Sequence, residues 1–192
     1  MPADIKNAPQ KGKSVLGIFA DYTVLDLETT GLSPAADDII EFGIVKVSNH
    51  KVVDSFQAFV NPGYPISAFI SNLTGITNSM LKGEKKIEEI LPAALSFIGD
   101  SLVIAHNSHF DLGFIRHGSA KYLKQPFLNN SLDTVRMSRR LYPAEKHHRL
   151  GDLISRFGVK QSSAHRALSD AEATQKCYEI MCRHSENGNI VF

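Results

Sequence analysis

Tyr22-Thr-Val-Leu-Asp-Leu-Glu-Thr-Thr-Gly31 is the segment from which we derive the expected architecture. Its β-branched and aromatic residues predict a first strand, which ends at the turn-forming Thr30-Gly31. Residues two apart on a strand point to the same face, so Asp26 and Glu28 project together while Leu27 points into the core. Two like charges on one face are unfavourable unless a cation lies between them, and adjacent oxygen ligands suit Mg²⁺ or Mn²⁺. The alternative is that one carboxylate simply faces solvent at the strand end.

The remaining segments predict one α/β domain with a mixed sheet flanked by helices. Two strand-like runs, 39–48 and 52–60, are joined by Asn49-His50 and should form an antiparallel hairpin. Apolar residues at helical spacing predict a helix over 87–98, ended by Gly99-Asp100. Beyond it the patterns predict strands at 101–105 and 131–133 and helices at 110–123, 134–141, 150–157 and about 164–184.

Length and composition limit the classes of protein that fit. A chain of 192 residues can close one substantial core, here assigned to residues 20–185, with a flexible N-terminal tail at 1–19 and a short C-terminal tail at 186–192. The 21 basic residues nearly balance the 20 acidic ones, which argues against tight, nonspecific wrapping of duplex nucleic acid. The two cysteines form no CxxC pair, so neither a disulfide nor a zinc site is expected. The apolar run at 15–20 is too short for a signal peptide or a membrane span, which predicts a cytoplasmic protein without a membrane partner.

A second acidic residue follows the predicted strand at 101–105, in Val103-Ile-Ala-His-Asn-Ser-His-Phe-Asp111. Asp111 lies near the start of the next helix, where a carboxylate interacts favourably with the helix dipole. This strand is expected beside the first one, which would bring Asp111 to the same sheet edge as Asp26. Both interpretations of Asp111 stay open from the sequence.

A third polar segment, Ala164-His165-Arg-Ala-Leu-Ser-Asp170-Ala, precedes the last helical pattern. On a regular helix the side chains of His165 and Asp170 would lie about 140° apart. They can share a site only if His165 lies on the loop or fraying turn before the helix. A mobile histidine suits a general base, because its ordinary pKa is close to neutral. The alternative makes Ser169 an N-cap, with Glu172 completing a capping box, and His165 an ordinary surface residue.

Other polar residues are interpreted as local features. His106 and His109 have no third soft ligand nearby, so we expect His106 to organise its loop by hydrogen bonds and His109 to be exposed. Asp37, Asp38 and Glu41 are expected to face solvent or to cap local backbone.

Together the three segments resemble the Exo I, Exo II and Exo III motifs of the DnaQ-like, or DEDDh, exonucleases. The resemblance covers roughly residues 22–181. Two further segments, Asn72-Leu-Thr-Gly-Ile-Thr77 and Arg149-Leu-Gly-Asp-Leu, are similar to the epsilon subunit of DNA polymerase III and to the proofreading domain of Gram-positive replicative polymerases. Arg166 stands where the sibling subfamily carries tyrosine, which indicates the histidine class. The resemblance implies a ribonuclease-H-like fold with a five-stranded mixed sheet.

By matching position, the resemblance implies two divalent cations, Mg²⁺ or Mn²⁺. Asp26, Glu28 and Asp170 would hold the first cation; Asp26 would bridge to a second one, supported by Asp111. His165 would deprotonate the attacking water, whose pKa one ion lowers while both stabilise the phosphoryl transition state. The turn after the first strand offers amides to a phosphate. The implied nucleotide-binding residues are Thr29, Gly31, Leu32, Leu73, Thr74, Asn107 and Phe110. Core packing is an equal alternative for Leu73 and Phe110.

The expected activity is removal of nucleotides, one at a time, from single-stranded or frayed DNA 3′ ends in proofreading or repair. The resemblance also implies a replicative DNA polymerase as a possible partner. An RNA-trimming exonuclease is the alternative within the same chemistry, because no residue here decides how the 2′-hydroxyl is treated. A noncatalytic adaptor on the same scaffold would have lost at least one of the five central polar residues, and all five are present.

Overall fold

The computed structural model describes residues 12–188, which form a six-stranded mixed sheet with helices on both faces. The strands are β1 (Ser14–Val15), β2 (Tyr22–Thr29), β3 (Ile39–Ser48), β4 (Lys51–Phe59), β5 (Val103–Ala105) and β6 (Ser131–Asp133). Their spatial order is β1-β6-β5-β2-β3-β4. The β2, β3 and β4 strands form an antiparallel meander, whereas β5 pairs parallel to β2, β6 to β5, and β1 to β6. The mixed α/β sheet is therefore confirmed.

The helices cover the two faces of this sheet. They are α1 (Ala68–Thr74), α2 (Asn78–Leu81), α3 (Ile87–Ile98), α4 (His109–Gly118), α5 (Thr134–Leu141), α6 (Leu150–Phe157) and α7 (Ala167–Asn187), with a π-helical segment at Ser119–Leu123 directly after α4. None of the described helices combines the length and the apolar character needed to cross a membrane.

Side-chain alternation along β2 creates two separate cores. Tyr22 and Val24 pack in one core with residues of α5, α6 and α7. Leu25 and Leu27 pack in the other with residues of α3 and α4. By the same alternation, Asp26 and Glu28 continue the face of β2 that α7 covers. Asp26 and Glu28, which are predicted to hold a cation, thus follow the apolar residues of β2 and lie where this strand meets α7.

The N-terminal boundary was predicted wrongly. Residues 1–11 of the predicted tail lie outside the described part of the chain, but Ser14 and Val15 pair with β6 and supply the sixth strand. The amide of Phe19 donates to the hydroxyl of Tyr178 at 2.9 Å, so this segment is tied to α7 as well. Two residues of strand carry too little periodicity to be recognised from sequence.

The structure changes other boundaries too. Neither α1 nor α2 was predicted, although the side chains of Ser67 and Thr77 cap their first turns and Gly75 ends α1 in the left-handed conformation. Helix α7 begins at Ala167 rather than near Ala164, and it continues to Asn187, past the predicted start of the C-terminal tail. Residues 189–192 of that tail lie outside the described chain. The β3–β4 hairpin is confirmed, with Asn49 and His50 at φ 50° and 61°.

Candidate active site

Three carboxylates converge at the carboxyl end of β2. Oxygen atoms of Asp26, Glu28 and Asp170 all lie within 4.8 Å of one another. Asp26 and Glu28 come from alternate positions of one strand, and Asp170 comes from the first turn of α7. Closely spaced hard oxygen donors are the ligand set that Mg²⁺ and Mn²⁺ prefer, so these residues fit a divalent cation.

Gly43 explains how α7 reaches the strand that carries the acids. It pairs with Asp26 across the β2–β3 ladder and therefore lies on the same face of the sheet. A Cβ atom at this position would lie 2.1 Å from the carbonyl carbon of Ala167 and 2.2 Å from the amide nitrogen of Leu168. The missing side chain lets the helix backbone rest directly on β3, which positions Asp170 beside Asp26.

Asp111 joins the site from α4. Its Oδ1 accepts the backbone N–H of Leu27 at 3.1 Å. The strand β5 pairs with β2 at Thr23 and Val24, so this amide lies beyond the paired part of β2 and is satisfied by Asp111 instead. The predicted neighbourhood of β5 and β2 is confirmed, and Asp111 lies buried against the strand that carries Asp26.

Crowding and burial raise the pKa values of all four acids. Burial raises the pKa of Asp26 well above its usual range, and the negative charges of Asp111, Asp170 and Glu28 add to this effect. Burial, with the charges of Asp170 and Glu41, raises the pKa of Glu28 to about 8. Burial also raises the pKa of Asp111 to about 8 and that of Asp170 above its ordinary value. Ionisation of all four groups at neutral pH costs free energy unless a positive charge lies between them.

His165 lies on the loop immediately before α7, as its spacing from Asp170 required. Its side chain is exposed and its backbone adopts φ 56°, in the left-handed region. Burial raises the pKa of Asp170, and this rise is opposed first by the hydrogen bond from Gln161, then by the imidazole of His165 and by the backbone amides of His165 and Arg166, because all of these favour the carboxylate form. The histidine is thus adjacent to the acid cluster while remaining open to solvent.

The alternative that made Ser169 the N-cap is wrong. The helix begins after Arg166, and Ser169 lies within its first turn. The Ser169 hydroxyl accepts the N–H of Ser163 at 3.2 Å and contacts the hydroxyl of Ser162, which ties the preceding loop to the helix. Gln161 in this loop donates its amide hydrogen to Oδ1 of Asp170.

Glu41 is the polar residue whose role the sequence interpretation missed. It was expected to face solvent or cap local backbone, but its side chain is fully buried. It stands directly opposite Glu28 in the β2–β3 ladder. The available signal was its position: Glu41 interrupts a long apolar strand and lies two residues before Gly43, hence on the same face. Asp37, by contrast, does cap local backbone, since Oδ2 accepts the N–H of Ser33 at 2.8 Å.

Two histidine predictions agree with the structure. Nδ1 of His106 lies 2.9 Å from the Thr134 hydroxyl, so His106 does organise its loop, and burial lowers its pKa. His109 is exposed.

The residues expected to line a nucleotide pocket divide into exposed and structural groups. Leu32 and Leu73 are 84% and 44% exposed, and Asn107 is exposed with φ 63°. Phe110 is partly buried and packs against Phe114, with ring centroids 5.2 Å apart. An additional exposed aromatic residue, Phe69, precedes Leu73 by one helical turn of α1 and is 72% exposed.

The other three expected pocket residues serve local structure. Thr74 is buried, and its hydroxyl donates to the carbonyl of Ile70 and accepts the N–H of Ile76. The structure therefore gives that side chain a role at the end of α1 rather than at a surface. Thr29 donates its hydroxyl to the carbonyl of Gly31 at 2.6 Å, which shapes the turn after β2. A Cβ on Gly31 would lie 2.4 Å from the carboxylate of Asp37, which would then have to shift.

Comparison with known proteins agrees with this geometry. The family model of the RNase T exonucleases matches residues 23–178. The chain belongs to this exonuclease family. PolC-type DNA polymerase III of Caldanaerobacter subterraneus is 46% identical over 167 residues, which cover 87% of this chain and 12% of the polymerase. The same polymerase of Bacillus subtilis is 42% identical over 154 residues, which cover 80% of this chain and 11% of the polymerase. The exonuclease thus spans only about one eighth of the length of these relatives.

Solved structures of exonucleases share the fold. The nuclease domain of 3′hExo, described as a DEDDh family member bound to rAMP, has a TM-score of 0.74 at 19% identity and covers 88% of this chain and 94% of its own. Exonuclease X in complex with 5′ overhanging duplex DNA has a TM-score of 0.68 at 23% identity, with coverage of 88% and 94%. The exonuclease assignment and the ribonuclease-H-like fold are confirmed; β1 accounts for the difference in strand number.

Proposed function

We propose that this exonuclease releases nucleoside monophosphates one at a time from DNA 3′ ends and that it depends on divalent cations. The convergence of Asp26, Glu28 and Asp170 within 4.8 Å carries the proposal. Asp26, Glu28 and Asp170 are the residues that would hold a first cation, and the buried Asp111 on the other side of β2 would support a second. Bound Mg²⁺ or Mn²⁺ supplies charge for the phosphoryl transition state and lowers the pKa of the nucleophilic water.

The protein's own residues would hold the cations and deprotonate the attacking water. The imidazole of His165 would accept the proton of the attacking water; its exposure beside Asp170 supports this role, because it can approach when a strand binds. The four acids keep their carboxylates in a fixed arrangement, since β2 and the docked end of α7 hold three of them and the amide of Leu27 holds Asp111.

Four apolar side chains would contact the strand. Exposed Leu32 and Leu73 and the partly buried Phe110 present faces on which a base can stack, as does Phe69. Stacking tolerates any base, which suits removal of a mispaired terminus. Asn107 is exposed on the loop after β5, where its backbone N–H donates to Asp133 at 3.1 Å, and its side-chain amide would contact the strand.

DNA is the substrate that we propose because the relatives at 42–46% identity are DNA polymerases. From the same similarity we propose that the substrates are single-stranded or frayed 3′ ends. We also propose a cytoplasmic proofreading or repair role and association with a replicative polymerase. RNA trimming is the second candidate. It is favoured by one structural neighbour, a 3′-exonuclease described as recognising a histone mRNA stem-loop, with a TM-score of 0.70 at 16% identity.

The test is cleavage of matched 5′-labelled DNA and RNA oligonucleotides with Mg²⁺ or Mn²⁺, alongside Asp26→Ala and a chelator control. A ladder that shortens from the 3′ end on DNA, and disappears in both controls, supports the proposal. Equal or faster cutting of RNA would overturn the assignment of DNA as the substrate. Strand binding without cutting of either substrate would favour an adaptor.

A further inference from the structure

The buried carboxylate of Glu41 receives four hydrogen bonds, three of which come from the two residues that follow His165. Arg166 donates from Nη2 to Oε1 at 3.0 Å and from Nε to Oε2 at 3.2 Å. The N–H of Ala167 donates to Oε2 at 3.2 Å, and Gln57 on β4 donates from Nε2 to Oε1 at 2.7 Å. One carboxylate on β3 thus fastens the beginning of α7 to the sheet.

Arg166 is held from a second side by an aromatic ring. Its guanidinium carbon lies 5.2 Å from the ring centroid of Phe59 on β4, within the range of a cation–π contact. A planar guanidinium that lies over a ring and donates two hydrogen bonds to one carboxylate has a fixed orientation. The residue after His165 therefore has little freedom to move.

His165 itself adopts a backbone conformation that needs such support. A non-glycine residue with φ 56° is unfavourable and persists when the surrounding structure holds it there. The side chain of His165 is exposed, so its own packing does not provide this support. The anchored Arg166 and Ala167 do, and together with Gly43 they set the direction in which the chain leaves the loop.

We propose that Glu41 and Arg166 are a positioning pair: the ion pair between the buried Glu41 and the partly exposed Arg166 holds the backbone at residues 165–167 so that His165 is presented to the acid cluster. The inference rests on the proposed nuclease function, and it adds two residues that touch neither the cation nor the scissile bond. Glu41 stands opposite Glu28, where an unpaired second carboxylate would be costly. Arg166 neutralises the charge of Glu41, and the same contact anchors the loop that carries His165.

The variants Glu41→Gln and Arg166→Met test the pair, with Gln57→Met as the matched control. Arg166→Met and Gln57→Met each remove a partner of the Glu41 carboxylate, and Glu41→Gln replaces the carboxylate itself, but only Glu41→Gln and Arg166→Met weaken the anchoring of residues 166–167. In Glu41→Gln and Arg166→Met we expect kcat to fall by about 10- to 100-fold, as for a misplaced catalytic group, while KM for the oligonucleotide changes by less than about twofold. Gln57→Met should lose thermal stability but keep kcat. The fall in kcat should be similar in Glu41→Gln and Arg166→Met, although these substitutions change the net charge in opposite directions.

A cycle with His165→Ala separates positioning from general weakening of the fold. If the pair acts through His165, Glu41→Gln should reduce kcat by less than about twofold when His165 is already alanine. A full additional loss in the double variant would overturn the inference. Arg166→Lys is the milder variant should Arg166→Met fail to fold; it keeps the charge but not the two-point contact, and kcat should again fall.

Amide hydrogen exchange in the protein without added metal gives a readout that does not depend on turnover. The amides of Ala167 and Asp170 should exchange about 10-fold faster or more in Glu41→Gln and Arg166→Met, and at the wild-type rate in Gln57→Met. If the wild type is active and both Glu41→Gln and Arg166→Met keep its kcat and its exchange protection, this inference is overturned while the proposed function stands. A wild type that cuts no oligonucleotide would overturn the proposed function, and the positioning role with it.

Discussion

The acid cluster shows how single residues acquire unusual properties from their neighbours. Asp26 and Glu28 would titrate near pH 4 on a solvated strand. Beside Asp170, and partly buried under α7, each favours its protonated form, and the pKa of Glu28 rises to about 8. Ionising these groups together costs free energy that a divalent cation would offset, so the groups that weaken the metal-free fold at high pH also favour binding of the ion.

Substitution of His165 by alanine tests its role as general base. We expect metal binding to be largely unchanged and single-turnover cleavage to slow by about 10²- to 10⁴-fold, the contribution typical of a positioned base. Calorimetric titration with Mn²⁺ and rapid-quench kinetics measure the two quantities. His109→Ala, an exposed histidine at the start of α4, is the matched control and should cleave at the wild-type rate. An unchanged rate in His165→Ala would remove this histidine from the mechanism.

Burial of the acids, together with the repulsion among them, predicts a pH dependence of stability without metal. Folding raises the pKa of Glu28 from 4.5 to about 8, so between these values the folded state binds more protons than the unfolded state. Stability conferred by the protonated group is therefore present below about pH 4.5 and is lost as pH rises towards 8. Thermal melts in chelator should show the melting temperature falling over this range. Glu28→Gln should flatten the decline and melt higher than wild type at pH 8; an equally steep decline would contradict the assignment.

At the scale of secondary-structure elements, the close approach of α7 to β3 organises the site. Gly43 provides the space, and the prediction follows that Gly43→Ala displaces the helix, because its Cβ would overlap the backbone of Ala167 and Leu168. We expect a loss of about 1–3 kcal/mol or more in the free energy of unfolding, with a loss of activity. Gly151→Ala in α6 is the control: nothing lies within 4 Å of its added Cβ, so it should be neutral or gain up to about 1 kcal/mol. Urea denaturation measures both, and equal effects would refute the packing argument.

Helix α1 supplies a second test at this scale. Phe69 and Leu73 are exposed and one turn apart, so they share a face that we assign to the bound strand. Phe69→Ala should raise KM for a DNA oligonucleotide by about 10-fold, since stacking on an aromatic ring contributes about 1–3 kcal/mol per base, and should leave kcat nearly unchanged. Val53→Ala on β4, another exposed apolar residue, should change neither constant. An unaltered KM in Phe69→Ala would place the strand elsewhere.

The elements also show why sequence predicted some parts of the site and not others. Asp26, Glu28 and Asp111 were predicted to lie together because strand alternation and strand adjacency follow from local patterns. Glu41 and Gly43 were not, because their roles depend on the α7 backbone that packs across them. The short strand β1 and the helices α1 and α2 were missed for a related reason, since segments this short are stabilised by caps and partner strands rather than by their own periodicity.

At the scale of the whole molecule, cation binding should stabilise the fold, because the ligands come from the beginning and the end of the chain. Asp26 on β2 and Asp170 on α7 meet in the folded state and are separated when the chain unfolds, so an ion that needs both binds the native protein. At a free concentration 100 times Kd, such binding adds about 2.7 kcal/mol. For a chain of this size that corresponds to a rise of about 5–10 °C in Tm. Differential scanning fluorimetry with Mn²⁺ or Mg²⁺ measures the shift. Asp170→Asn should melt no lower than wild type in chelator yet lose most of the metal-induced shift. If Asp170→Asn gained as much stability from the ion as wild type, the cation would have to lie away from the β2–α7 contact.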